Sequence, residues 1–148
     1  MQIIGKSIQR FDAFDRVTGR AIYPGDIDLP GQLHMKVCFA GRASARVKAI
    51  DAEKALAYPG VTAVFTAADV PVNEYGLITP DQPVLVGPSP HGKPGDDIVR
   101  FPGDQVALVV AETEEAAAVG RDLIEIEYEP LPLVDSVEAA LAAGAPLV

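Results

Sequence analysis

The apolar run Val106-Ala107-Leu108-Val109-Val110-Ala111 lies between the turn residues Pro102-Gly103-Asp104 and the polar pair Glu112-Thr113, and it limits the fold more than any other segment. An uninterrupted apolar run this short has no face to offer water, so it predicts a strand buried on both sides. After it Thr113 stands where an N-cap belongs, and Glu114 and Glu115 fall in a first turn whose dipole favours acids. Ala116, Val119, Gly120 and Leu123 then recur at helical spacing. Ile124, Ile126 and Tyr128 alternate with Glu125, Glu127 and Glu129, which predicts a strand with one wet face. Strand, helix and strand in this order predict a right-handed crossover between parallel strands, on which the rest of the chain must pack.

The chain has 148 residues, one domain's worth and enough to bury a core, and its 49% hydrophobic content excludes disorder of the whole. Twelve basic residues against 21 acidic ones give −9, which argues against a nucleic-acid or anionic-membrane partner. The opening Met1-Gln2-Ile3-Ile4-Gly5 lacks the apolar segment of a signal peptide, and no run approaches bilayer-spanning length. A cytoplasmic location is the expectation. Cys38 is the single cysteine, which excludes an internal disulfide and a cysteine-built zinc or iron–sulfur site. Its run, Met35-Lys36-Val37-Cys38-Phe39-Ala40, predicts a buried, inert thiol.

Residues 5–19 read as an irregular arm anchored by Phe11 and Phe14, followed by a short strand Arg20–Tyr23 and turns at Pro24-Gly25-Asp26 and Leu29-Pro30-Gly31. Strands are expected at Leu33–Ala40 and Ala45–Ile50, with Gly41-Arg42-Ala43-Ser44 as a hairpin loop between them. Asp51 should cap a helix over Ala52–Ala57 that Pro59-Gly60 stops, before a strand at Val61–Phe65. Thr66-Ala67-Ala68-Asp69 predicts a single capped turn, and Asp135-Ser136-Val137-Glu138 opens a last helix that Gly144 and Pro146 end. The sum is an α+β fold with about six or seven strands and three short helices.

One connection breaks this rhythm. Between Pro71 and Asp97 stand six prolines and four glycines, and a connection of this length is usually functional or mobile. Tyr75-Gly76-Leu77-Ile78 and Pro83-Val84-Leu85-Val86 are apolar enough to pack on something, whereas Gly87–Asp97 is the best candidate for disorder.

Self-contained chemistry is hard to build from these residues. His34 and His91 are far apart and neither has a nucleophile or acid suggestively placed beside it. Gly103-Asp104-Gln105-Val106 precedes a strand, so it is no phosphate cradle, and Gly25, Gly31 and Gly41 lack dinucleotide spacing. Glu125, Glu127 and Glu129 are better read as a solvated strand face than as a cation site. Asp26 and Asp28 serve turn geometry.

Taken in order, however, the punctuation is specific. Arg10-x-Asp12-Ala13, Val17-Thr18-Gly19-Arg20-Ala21-x-Tyr23, Asp26 and Leu29-Pro30-Gly31-x-Leu33-His34 open the series. Ala45-Arg46-Val47-x-x-Ile50-Asp51, Pro59-Gly60-Val61-x-Ala63-Val64 and Asp69-Val70-Pro71-x-Asn73-x-x-Gly76 continue it. Arg100-x-x-Gly103-Asp104-x-Val106-Ala107, Val110-Ala111-Glu112 and Glu127-Tyr128-Glu129-x-Leu131-Pro132 close it. This series resembles the N-terminal α/β-hammerhead domain of the molybdopterin-binding large subunits of the xanthine dehydrogenase and aldehyde oxidase family, over nearly the whole chain. A departure is Gly41-Arg42-Ala43-Ser44-Ala45, where the family often has Ser-Pro-His-Ala.

The resemblance implies one hammerhead domain over residues 1–148 with a mixed sheet, excised or truncated from a longer subunit. The family's catalytic glutamate, molybdenum-side glutamine and pterin-binding loops lie beyond this domain, so no catalytic, cofactor-binding or metal residue carries over. No cofactor is expected on this chain itself; molybdenum–molybdopterin and iron–sulfur clusters are implied for the complete enzyme. The implied partners are the C-terminal molybdopterin-binding region of the same subunit and an iron–sulfur subunit, with a flavin subunit as a further candidate. In xanthine dehydrogenase-like members an apolar pair after the Asn-x-x-Gly turn lines the substrate channel; here the pair is Leu77 and Ile78. The plainer alternative is that these two cover the domain's own sheet. The isolated chain is expected to be inactive and to self-associate through uncovered apolar surface. A stand-alone binding or assembly module on the same fold is the competing reading. An acid–base hydrolase would predict turnover by the purified chain.

Overall fold

Two three-stranded antiparallel sheets carry the larger part of a computed structural model that describes residues 4–146. The strands are β1 (His34–Phe39), β2 (Ala45–Asp51), β3 (Val61–Thr66), β4 (Ile98–Val99), β5 (Gln105–Ala111) and β6 (Glu125–Pro130). The first sheet has the order β1-β5-β3 and the second β4-β2-β6. Four helices accompany them among the described residues: α1 (Ala13–Val17), α2 (Glu53–Leu56), α3 (Glu114–Asp122) and α4 (Val137–Leu141). The chain divides into two units, Met1–Gln32 and Leu33–Val148.

The apolar run forms β5, and Val106, Ala107, Val109 and Ala111 are completely buried. The strand feeds two cores. Ala111 packs with Ala116 and Ala117 of α3, beside Tyr58 and Val61. Val106 packs with Ala40, Val47, Val86 and Val99, beside Ile50, Ile126 and Tyr128. Thr113 caps α3 as its sequence predicts, its hydroxyl accepting from Ala116 N at 3.1 Å. The buried stripe of α3 is Ala116, Ala117 and Gly120, while Val119 is turned outward. Gly120 is required by contact: a Cβ there would lie 2.9 Å from both Val109 and Val61 methyl carbons.

The parallel crossover does not form. β5 has only two edges, and β1 and β3 occupy both as antiparallel neighbours, so β6 leaves for the second sheet and pairs with β2. The alternation in β6 is as expected, with Ile126 and Tyr128 half-buried and the glutamates exposed. The hairpin between β1 and β2 is absent too. After Phe39 the chain follows the 102–104 turn, Ala40 N donating to Asp104 O at 2.8 Å and Gly41 N to Pro102 O at 3.0 Å, and then crosses to the other sheet. β4, a two-residue strand against β2, has no counterpart among the sequence expectations.

The capping signals mostly match. Ser136 accepts from Ala139 N at 3.2 Å, and the Asp69 carboxylate accepts the Thr66 N–H and hydroxyl at 2.8 and 3.0 Å. Asp51 ends β2 and accepts from Glu53 N at 2.9 Å, so α2 starts one residue later than predicted.

In the unit Met1–Gln32 the predicted strand Arg20–Tyr23 is missing, because Arg20 N and Ala21 N both donate to Asp15 O, at 2.8 and 3.0 Å. The arm predicted as irregular contains α1. Its Arg16 bonds Asp12 at 2.8 Å and the Tyr23 hydroxyl at 3.0 Å, and Arg20 stacks over Phe14. Phe11 and Phe14 are exposed and do not act as anchors. Leu29-Pro30-Gly31 makes the expected turn, with Gly31 at φ +78° and Gln32 N donating to Leu29 O at 2.9 Å.

Candidate functional site

The proline-rich connection is the part of the larger unit least explained by its own core. Prolines supply no N–H, so this segment cannot build a ladder and must borrow partners. It does so at several points. Val86 N donates to Gln105 O of β5 at 2.7 Å, and Gly87 N to Asp96 O at 3.1 Å. Leu85 and Val86 are buried, and Gly87 sits so close to Ile50 that a Cβ would lie 3.2 Å from its Cδ1. Asn73, only 3% exposed, donates from Nδ2 to Leu85 O at 2.8 Å and accepts from Leu85 N at Oδ1, 2.9 Å. Tyr75 and Gln82 form a further bridge.

Beyond that bridge the chain turns tightly. At Gly76 a Cβ would stand 1.9 Å from Thr79 O, so only glycine fits without moving the backbone. The turn projects Leu77 and Ile78, which are 93% and 97% exposed. They therefore do not cover the domain's own sheet. Gly87–Asp97, expected to be disordered, is a series of turns: Lys93 N donates to the Asp96 carboxylate at 2.7 Å, Asp97 pairs with Arg46, and Lys93 pairs with Glu74.

A cleft of about 360 Å³ lies between the start of β2, β4 and the stretch after β6, lined by Ser44, Arg46, Val99, Arg100, Leu131 and Leu133 among others. Its guanidinium groups are engaged: Arg46 with Asp97, and Arg100 with the carbonyls of Gly95 and Ile98 at 3.3 and 3.2 Å. Nothing in the sequence pattern flags this cleft, since its walls come from segments far apart in the chain.

The remaining residues singled out by sequence have plain surroundings. Cys38 is half-buried on β1, and burial pushes its thiol up, away from the reactive thiolate. His91 is exposed in a turn, and His34 begins β1. Glu125 pairs with Lys54, and Glu129 lies 3.9 Å from Arg46 and 3.7 Å from Lys48, so basic side chains accompany this strand face. Tyr128 donates to Ala40 O at 3.0 Å under the guanidinium of Arg42, and burial raises its phenol.

Among the described residues no group of three or more His, Cys, Asp or Glu is placed to hold a metal ion. With a single cysteine the chain cannot by itself supply the thiolate set that holds an iron–sulfur cluster. No helix among the described residues is long and apolar enough to cross a membrane.

Comparison with known proteins gives this geometry a context. Residues 18–132 match the family model described as "Aldehyde oxidase and xanthine dehydrogenase, a/b hammerhead domain". The chain is 40% identical over 137 residues to a probable xanthine dehydrogenase subunit from Bacillus subtilis, covering 92% of this chain and 17% of that protein. It is 36% identical to the carbon monoxide dehydrogenase large chain of Afipia carboxidovorans, covering 100% of this chain and 18% of that one. The crystal structure of a Cu,Mo-CO dehydrogenase superposes with a TM-score of 0.82 at 35% identity, over 97% of this chain and 17% of that chain. The chain thus spans less than a fifth of the length of these relatives. The chain belongs to the aldehyde oxidase and xanthine dehydrogenase family, whose a/b hammerhead domain it matches in sequence and in fold.

Proposed function

We propose that the chain is a non-catalytic structural domain of a molybdenum-dependent hydroxylase or dehydrogenase, one hammerhead domain of a longer cytoplasmic large subunit. It packs on the cofactor-binding region of that subunit, and Leu77 and Ile78 line the approach of substrate to the metal. The single observation that carries this reading is the clamped turn presenting two almost fully exposed aliphatic side chains, in a chain that matches less than a fifth of its Bacillus and Afipia relatives. Exposed apolar groups on an ordered turn are costly in water and gain most when a partner covers them. The chemistry, oxygen insertion at a substrate C–H bond with electrons passed to iron–sulfur centres, belongs to the rest of the subunit and its companions. This domain supplies shape.

A chimera tests it. In the Bacillus subtilis relative the 137 matched residues are exchanged for this chain. The chimeric subunit should assemble and retain molybdenum at the parent's level, read by elemental analysis. Leu77→Asp and Ile78→Asp should then lower kcat/KM by about tenfold or more while leaving the metal content unchanged. An assembled chimera whose kinetics ignore both substitutions overturns the channel role, and a purified 148-residue chain that turns over substrate unaided overturns the structural role.

A further inference from the structure

The apolar tip has no core contacts to fix where it stands, so something at its base must do so. Ordinary antiparallel pairing cannot. From the Tyr75–Gln82 bridge, where Tyr75 N donates to Gln82 O at 2.7 Å and Gln82 N to Tyr75 O at 3.1 Å, a regular ladder would continue toward the body of the domain. Pro83 lies opposite Glu74, at a position that makes no ladder bond, so the next bonded pair would be one step further on. Residue 73 would pair with residue 84 in the regular register, but no backbone hydrogen bond joins Asn73 and Val84, and the ladder stops.

Asn73 bridges this gap with its side chain. Its carboxamide makes with Leu85 the paired N–H and C=O bonds that one strand residue makes with another. It is the one polar side chain fully buried among the described residues. An apolar residue of similar size would fill the space as well and leave both Leu85 backbone groups unpaired. Leu85, 1% exposed, and Val86, bonded to β5, are the fixed ground to which the amide ties the turn.

We infer that Asn73 is a positioning residue for the Leu77–Ile78 tip: its carboxamide sets where the two aliphatic side chains stand relative to the second core. This deepens the channel reading above and rests on it for its functional meaning, but the positioning itself is a property of this chain.

The test uses the full 148-residue chain and two variants, Asn73→Ala and Asn73→Asp. Amide exchange is read at Tyr75 and Gln82 against amides of β5. In Asn73→Ala the Tyr75 and Gln82 amides should exchange at least about tenfold faster while β5 is unchanged. Uniform acceleration of all amides, or none, overturns the assignment. Asn73→Asp keeps the acceptor, and only its protonated form can donate to Leu85 O. Tyr75 and Gln82 protection relative to wild type at the same pH should thus be lost at neutral pH and return on acidification. The titratable groups around the same hollow, Glu74, Asp81, Lys93, Asp96 and Arg100, are common to both proteins and cancel in that ratio. A flat Asn73→Asp profile overturns the proposal even if Asn73→Ala fails to fold. In the chimera Asn73→Asp should raise KM more than it lowers kcat. Selective exchange with unmoved kinetics would sink the channel reading and leave Asn73 as the residue that holds the tip.

Discussion

The two covers that meet β5 are made differently. α3 closes its own backbone hydrogen bonds and so can press on the sheet through nothing larger than Ala116, Ala117 and Gly120. The 71–97 connection, interrupted by prolines, has no periodic ladder and reaches the other core through Val86 and Gly87 with bonds between residues well apart in sequence: Asn73 to Leu85 and Asp96 to Gly87 within the connection, and Gln105 of β5 to Val86. A helical cover is held by local bonds. A loop cover is held by distant ones, and it can therefore carry a tip that the core does not touch.

The largest test of that contrast is Leu85→Ala. If the loop is a true cover, the lost side chain should cost about 2–5 kcal/mol in chemical denaturation; a near-neutral result would make the loop an ornament on a core complete without it. Next is Gly120→Ala, where the added methyl meets Val109 and Val61 at 2.9 Å. Overpacking of about 1–3 kcal/mol should outweigh the gain in helix propensity. Stabilisation instead would show that the helical cover is looser than its small residues indicate. Thr113→Ala should cost about 1 kcal/mol by freeing the Ala116 N–H, and the loss should stay within α3 by hydrogen exchange.

The smallest effect concerns the edge where α3 meets β1. The Lys36 ammonium beside Glu114 holds that carboxyl below the usual carboxylate range. A depressed folded-state pKa stabilises the fold above the unfolded-state value, and the contribution is lost as pH falls through the folded value. Lys36→Met should therefore lower stability slightly at neutral pH and converge with wild type at low pH, which flattens the acid limb of a stability–pH curve, and the effect is small because the pair is exposed to solvent.

Legibility in the sequence follows the same divide. Local signals are readable: the apolar run of β5, the Thr113 and Ser136 caps, the alternation in β6, the Leu29-Pro30-Gly31 turn. Pairing is not. Gly41–Ser44 has the look of a hairpin loop, but the loop's neighbours find partners more than fifty residues away, and α3 leads out of one sheet into another. Gly87–Asp97 reads as disorder because its bonds, to Arg46, Glu74 and its own turns, are not periodic. Of the candidate site, Leu77 and Ile78 are visible through a family resemblance, and their exposure comes from the structure. Asn73 is visible only as one letter of a turn motif, since a buried amide has no spacing to betray it.

The pairing pattern has a consequence for synthesis. No strand bonds to its neighbour in sequence: β1 and β3 both wait for β5, and β2 waits for β4 and β6. During synthesis β1, β2 and β3 all emerge before β5 and β6, so the first sheet has no ladder until Gln105–Ala111 is made and the second lacks its longer ladder until Glu125–Pro130 is made. Assembly of each sheet is then a late event, set by β5 for one and by β6 for the other, and until those segments arrive the earlier strands carry unpaired edges.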